Sequence, residues 1–319
     1  MGLFSFLTET IGIDAGTQLL RITNENDLFF NETAKICIDP TSGKVVGYGN
    51  HSTSSKNEVI IFPVNYAIED FYAFEQLLRW ALEKDGKRSF IAKSCILYIS
   101  IPTNVTQVEL RAYRDSAEHC GAKECYMVYQ SYCAAINLNI LSEKKDFILV
   151  DFSASKVEIA VFINGIIRAL GTVKLGTAKL FSLIGNYVLR NYQMQLTEKE
   201  ISDILTDYKK HELQGEFRLD KVVIPFSKID ELLKSYFVVI NDEMLKSIES
   251  LRDHSERMKV LTNGIYFTGG GMQYSCLIDY LPFDKSIKYT ISKTPLMDTI
   301  NGLKMIIRER KKYKDLMLS

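Results

Sequence analysis

Apolar runs and polar breaks divide the chain into alternating strand and helix signals. Ile11–Thr17, IGIDAGT, and Phe147–Val161, FILVDFSASKVEIAV, share one pattern: a buried strand ending in Asp, a tight turn of small residues, and a returning apolar strand. That geometry brings backbone N–H groups up to a phosphate. Gln18–Thr23 reads as the first returning strand. Ala34–Ile38 and Val45–Tyr48 flank the hairpin signal Asp39-Pro40-Thr41-Ser42-Gly43. Residues 29–57, including the turn-rich Asn50–Asn57, form a small β-rich excursion.

Asp70 opens a helix with Phe71, Phe74, Leu78, Ala81 and Leu82 on one face, stopped by Asp85-Gly86. Cys95–Ile101 is an apolar strand, and Thr106-Gln107-Val108-Glu109 is a capping box opening a helix that runs to Cys120-Gly121. Glu124–Tyr129 is a strand and Ser131–Leu141 a helix. Buried strands alternating with helices predict a largely parallel sheet.

The pattern restarts at Asp146. Phe147–Asp151, Val157–Ile163 and Ile166–Val173 form a meander turned by Asn164-Gly165, and a helix spans about Thr177–Tyr192. Thr197-Glu198-Lys199-Glu200 caps another helix, and Phe217–Ile224 reads as a lone strand ended by Pro225. A long helix starts at Ser227 and is renewed through Met244, Ile248 and Leu251. Gly264–Thr268 is a strand leading into Gly269-Gly270-Gly271, and Pro295–Arg310 is a closing amphipathic helix. The two hairpin aspartates, Asp14 and Asp151, stand 151 − 14 = 137 positions apart. The chain reads as a duplicated architecture.

Length and charge narrow the classes. At 319 residues two domains fit better than one. The 39 basic and 39 acidic residues balance, so no electrostatic footprint for nucleic acid exists. Six cysteines lie mostly in apolar runs, which reads as reduced buried thiols in a cytoplasmic setting; a zinc site from His119, Cys120 and Cys125 is the weaker alternative. No apolar run reaches the roughly 20 residues that span a bilayer. The segment Met1–Leu7 lacks a signal peptide's basic region, and Phe6 breaks the myristoylation pattern. Leu3, Phe4, Phe6 and Leu7 could contact a membrane surface or tuck against the body.

Several of these strings resemble the actin superfamily and, within it, the MreB family of bacterial actin-like proteins. Asp14-Ala15-Gly16-Thr17 resembles the first phosphate loop, D-x-G-T. Ile101–Glu109, IPTNVTQVE, continuing through Arg111, Arg114, Ser116, Ala117 and Gly121-Ala122, is the most specific match. Ile61–Val64 with Ala67–Phe71, Val157–Val161, and Asn186–Tyr192 are similar to further family segments. Thr268-Gly269-Gly270-Gly271 resembles the loop that holds the adenosine end of the nucleotide.

The resemblance implies an α/β, actin-like (ribonuclease H-like) duplicated two-domain fold, each half a mixed five-stranded sheet flanked by helices with small inserted subdomains. It assigns 1–28, 60–143 and 302–319 to subdomain IA, 29–59 to IB, 144–180 and 232–301 to IIA, and 181–231 to IIB. It implies ATP with Mg²⁺ as cofactor. Asp14, Ala15, Gly16, Thr17, Asp151, Ser153, Ser155 and Lys156 would lie at the phosphates, Gly269, Gly270, Gly271 and Met272 at the adenosine end, and Asp14 and Asp151 at the metal.

Departures fall on the chemistry. The second loop, D-x-G-G-G-T in the family, is Asp151-Phe152-Ser153-Ala154-Ser155-Lys156 here. Side chains there disfavour the left-handed backbone that glycine adopts freely, by roughly 1–2 kcal/mol each. Where the family has two glutamates and a proline at the water-positioning helix, this chain has Tyr129, Gln130 and Ser131; Gln130 could still orient water. The family's adenine-side Glu and Lys fall at about Ser202 and Leu205, and its D-G pair reads Gly176-Thr177-Ala178. Lys156 reads first as a solvated turn lysine or a salt bridge filling the cleft; the alternative is that its ammonium stands where the family's Mg²⁺ would, pairing with Asp14, Asp151 or a phosphate. Residues 50–57 and 208–226 are shorter than in the family, which bears on filament contacts.

The expected function is that of a cytoplasmic MreB-type cytoskeletal protein of cell shape and cell-wall synthesis, with weak or absent ATP hydrolysis. Expected partners are copies of itself or a related actin-like filament, with peripheral contact to the inner membrane and to cell-wall synthesis proteins. The alternative is a non-hydrolysing pseudo-ATPase that binds or caps another filament.

Overall fold

The structure, a computed structural model, describes residues 9–51, 58–84, 95–141, 145–219, 222–283 and 286–319. Leu3, Phe4, Phe6 and Leu7, the helix stop at Asp85-Gly86 and most of Asn50–Asn57 lie outside the described residues. The chain divides into two compact units, Met1–Ser142 with Met297–Ser319, and Glu143–Leu296.

The first unit begins with β1 (Thr10–Ala15), β2 (Leu19–Thr23) and β3 (Leu28–Thr33). The small strands β4 (Ile36–Ile38), β5 (Val45–Tyr48) and β6 (Val59–Ile61) pair among themselves, and β7 (Val64–Asn65) turns into β8 (Ala67–Ile68) at Tyr66, whose φ is +67°. Then come α1 (Phe71–Glu83), β9 (Ile96–Ile101), α2 (Gln107–His119), β10 (Glu124–Tyr129) and α3 (Gln130–Asn137). The main sheet has the order β10-β9-β1-β2-β3, with β1, β9 and β10 parallel and the rest antiparallel. Every residue of β1 is buried, as a central strand covered on both faces requires.

One face of this sheet packs against Phe74, Leu77, Leu78 and Leu82 of α1 and Tyr113 and Ala117 of α2. Burying each such aliphatic or aromatic side chain stabilises by about 1.5–3 kcal/mol. Asp70 caps α1 by accepting from Ala73 N–H at 2.8 Å, and the Thr106–Glu109 capping box is present in full.

The second unit opens with β11 (Phe147–Phe152), β12 (Val157–Ile163) and β13 (Ile166–Val173), followed by α4 (Thr177–Tyr192) and α5 (Glu198–Asp207). After β14 (Glu216–Leu219) and β15 (Val222–Pro225) come α6 (Phe226–Glu249), α7 (His254–Asn263), β16 (Ile265–Thr268) and β17 (Tyr289–Ile291). Its sheet, β13-β12-β11-β16-β17, repeats the first: β11, β16 and β17 are parallel, and β12 and β13 antiparallel. The last helix, α8 (Asp298–Arg308), returns to the first unit and packs with α3 on the other face of its sheet, through Cys133, Ile136, Ile300, Leu303 and Ile307.

Two mixed five-stranded sheets flanked by helices are the architecture the resemblance implied. Several elements differ from the sequence reading. Phe217–Ile224 is a hairpin, β14 with β15, because Glu216 pairs with Pro225 and Leu219 with Val222. β3 joins the main sheet instead of the small excursion. α3 stops at Asn137, where Leu138 caps it and Asn139 takes a φ of +57°. α6 runs unbroken for 24 residues. α7 and β17 had no sequence signal strong enough to name.

Candidate functional site

Each unit gathers its candidate residues at the carboxyl ends of its parallel strands, where ligands bind in open α/β sheets. In the first unit Asp14, next to last in β1, lies beside Ser100 of β9, and Gln130 begins α3 directly after β10. The β1–β2 hairpin closes through Gly16 N–H to the Leu19 carbonyl at 3.0 Å, leaving a two-residue turn of Thr17 and Gln18. Gly16 and Thr17 are half-buried, and Ala15 is buried.

Asp14 is 3% exposed, and its two oxygens have separate partners. Arg21 Nη1 donates to Oδ2 at 3.1 Å, and Ser100 Oγ donates to Oδ1 at 2.7 Å. Arg21 lies directly opposite Asp14 in the β1–β2 register, so the pairing is fixed by the sheet. Tyr113 is fully buried; burial first, then Glu109 and Asp14, pushes its phenol well above the usual range. Cys133 is raised for the same reasons, burial foremost and Asp14 next, so its thiol stays protonated and unreactive.

No carboxylate occupies the start of α3. Tyr129 is its N-cap residue without a side-chain cap, Gln130 is half-buried, and Ser131 Oγ shares a 2.8 Å hydrogen bond with Thr103 Oγ1.

In the second unit the β11–β12 hairpin closes through Ser153 N–H to the Lys156 carbonyl at 2.9 Å, with Ala154 and Ser155 at the turn. None of Ser153, Ala154, Ser155 and Lys156 has a positive φ. The loop therefore lacks the left-handed residue that an anion-binding nest of αR–αL residues uses. Ser153 Oγ donates to Asp151 Oδ1 at 2.8 Å.

Lys156 is 3% exposed and its Nζ donates to Glu158 Oε2 at 2.5 Å. The lysine is thus buried and paired with Glu158, not a solvated turn residue.

The N-terminus of α4 docks on this hairpin. Thr177 and Ala178 N–H groups donate to the Ser153 and Ala154 carbonyls, both at 3.0 Å, and a Cβ at Gly176 would stand 2.2 Å from the Ala154 oxygen. The glycine triplet comes equally close. Gly269 has a φ of +88°, and a Cβ there would meet Asp151 Oδ1 at 2.1 Å. Gly271 packs on Phe152 and Thr177, and Met272 is buried behind it. So Asp151, Ser153, Thr177 and the triplet form one cluster within the unit. Tyr274, just beyond, donates to Ser202 Oγ of α5 at 3.0 Å and lies against Phe181.

Sequence reading found the two hairpins and the triplet but missed Arg21, Ser100, Glu158 and Tyr274. For Arg21 a signal was available: a hairpin turning between Thr17 and Gln18 pairs position 14 with position 21.

Two sheets of the same order, each with an aspartate next to last in a hairpin strand, define an actin-like protein. A crystal structure of MreB5 of Spiroplasma citri bound to AMPPNP superposes with a TM-score of 0.82 at 19% identity, covering 97% of this chain and 98% of that one. A second, bound to ADP, gives a TM-score of 0.81. The family described as MreB/Mbl protein matches residues 8–315, and the chain belongs to that family. Mbl of Bacillus subtilis (strain 168), a cell shape-determining protein, is 26% identical over 307 residues, covering 90% of this chain and 92% of Mbl. The cell shape-determining protein MreB of Escherichia coli (strain K12) is also 26% identical, covering 94% of this chain and 93% of MreB.

The cofactor this family implies fits unevenly. At the second hairpin Ser153 Oγ is engaged by Asp151, and Gly269 and Gly271 let the triplet pack closely on Asp151, Phe152 and Thr177. Asp14 does not suit a metal ion, because a buried guanidinium and a buried hydroxyl already hold its two oxygens.

Proposed function

We propose that this chain is an MreB-type cytoskeletal protein that assembles with copies of itself. It acts in cell shape and the organisation of cell-wall synthesis, and hydrolysis at its nucleotide site is weak or absent. The observation that carries the reading is the retained hairpin-and-triplet scaffold without a catalytic carboxylate at Tyr129-Gln130-Ser131.

Family membership, the cell-shape names of the curated relatives and the nucleotide-bound MreB5 structures support it. In this reading Thr17 and Ser155 present the hairpin turns to phosphate, with Asp14, Ala15, Gly16, Asp151 and Ser153 beneath them. Gly269, Gly270, Gly271 and Met272 receive the adenosine end. Gln130 orients water at most, since an amide cannot take its proton. Residues 29–59 and 181–231 act as the small subdomains, and assembly occurs in the cytoplasm against the inner membrane.

Among the described residues no helix is long and apolar enough to cross a membrane. In this reading the apolar residues Leu3, Phe4, Phe6 and Leu7 make the membrane contact.

The second reading, a pseudo-ATPase module on another filament, is favoured by one observation: Asp14 already has an internal cation. Sedimentation of purified protein with and without ATP, alongside phosphate release, separates the two. Pelleting without phosphate release is expected. A monomer that pellets only with a related filament selects the second reading, and phosphate release at rates typical of an active ATPase refutes both.

A further inference from the structure

We infer that Arg21 is a built-in replacement for the divalent cation at Asp14, so that the first hairpin holds its charge balance without metal. This rests on reading residues 14–17 as the phosphate hairpin.

The pair is fixed at three levels. Asp14 and Arg21 are cross-strand partners in the β1–β2 register, so their backbones bring the charges together whatever lies outside the sheet. Both side chains are buried, at 5% and 9% exposure, which keeps water from screening them. Ser100, on the neighbouring parallel strand, occupies the remaining carboxylate oxygen.

A metal ion at Asp14 would set a second cation against the guanidinium on one buried carboxylate, and one of the two has to leave. Arginine cannot lose its proton to make room, so a positive charge would be stranded in the interior. That charge has little else to hold it: Arg21 Nε is buried and has no hydrogen-bond partner.

The second hairpin is arranged differently: the cross-strand partner of Asp151 is another carboxylate, Glu158, and Lys156 of the same hairpin pairs with Glu158. In both units a side-chain cation lies inside the hairpin that carries the aspartate.

Thermal melting of the full chain with Mg²⁺ and with EDTA tests the assignment. The wild type is expected to melt at the same temperature in both. Arg21→Met, which keeps aliphatic bulk but removes the charge, is expected to melt roughly 6–12 °C lower in EDTA and to regain part of that loss in Mg²⁺. Asp14→Asn/Arg21→Met removes both charges; it is expected to melt near the wild type and to ignore Mg²⁺.

Affinity for a fluorescent ATP analogue provides a second readout, expected to agree within about threefold between Mg²⁺ and EDTA in the wild type. A wild type stabilised by Mg²⁺ through Asp14, or an Arg21→Met protein that Mg²⁺ does not raise, overturns the inference. If Arg21→Met does not fold, the double variant decides: folding supports the pair, and failure to fold refutes it. Absence of nucleotide binding in both conditions refutes the nucleotide reading above, while the melting comparison still decides the cation.

Discussion

Gly302 of α8 lies against Cys133 of α3 so closely that an added Cβ would stand 1.8 Å from the Cys133 carbonyl oxygen. That oxygen belongs to helix backbone and cannot swing aside. Gly302→Ala must therefore push the two helices apart, and with them the Ile136, Ile300, Leu303 and Ile307 contacts beneath the sheet. Overpacking of this kind costs about 1–3 kcal/mol or more. The expected result is a lower urea midpoint with the slope unchanged, and an unshifted midpoint would contradict the close crossing of α3 and α8.

Lys156 and Glu158 allow a test of a structural role against a ligand role. Both are buried, and Lys156→Met leaves Glu158 without its cation. Removing one member of a buried pair costs about 3–5 kcal/mol, whereas replacing both with apolar residues is often neutral. Lys156→Met is expected to be strongly destabilised, and Lys156→Met/Glu158→Met to recover most of the loss. Equal losses in both variants would mean that the lysine stabilises through something other than this pair.

The hairpins, both capping boxes and the glycine triplet were legible because each is a local signal. Thr106 with Glu109 and Thr197 with Glu200 need only three-residue spacing. What escaped depends on partners distant in sequence or on weak patterns. α7 buries only Val260, so its sequence carries almost no periodicity. β17 is a three-residue edge strand defined by pairing with β16. In the candidate site, the departures from the family pattern were visible at Ser153–Lys156, but their outcome was not. Lys156 and Glu158 stand two positions apart, on one face at the start of β12, and that both side chains turn inward to meet is a matter of packing that sequence alone did not supply.

Asp230 sits within a buried cluster in the second unit. Tyr280 donates to its Oδ1 at 2.7 Å and Tyr208 at 3.3 Å, while Lys234 pairs with Oδ2 at 2.6 Å. Burial pushes the carboxyl up, but Lys234 and the two phenols outweigh it, and the group titrates below its ordinary 3.8. A depressed folded pKa stabilises above the unfolded value and loses that contribution as pH falls through the folded one. Asp230→Asn is therefore expected to lower stability by about 1–3 kcal/mol at every pH above roughly 4. The difference should narrow on further acidification, as followed by urea unfolding. A gap that widens toward acid would reverse the sign assigned to this carboxyl.

Tyr274 ties the segment after the glycine triplet to α5 through Ser202 Oγ, with its ring against Phe181. If the triplet receives the adenosine end, an incoming base must share this ground with the tyrosine. Tyr274→Phe keeps the ring and removes only the tie, worth about 1 kcal/mol. Stability should fall by about that amount, and affinity for a fluorescent ATP analogue should rise by up to about fivefold, because a base no longer competes with the hydrogen bond. Both effects are read from one preparation, by urea unfolding and by titration. A loss of stability with unchanged affinity would place the adenine away from Tyr274, and with it the assignment of Gly269–Gly271 to the adenosine end.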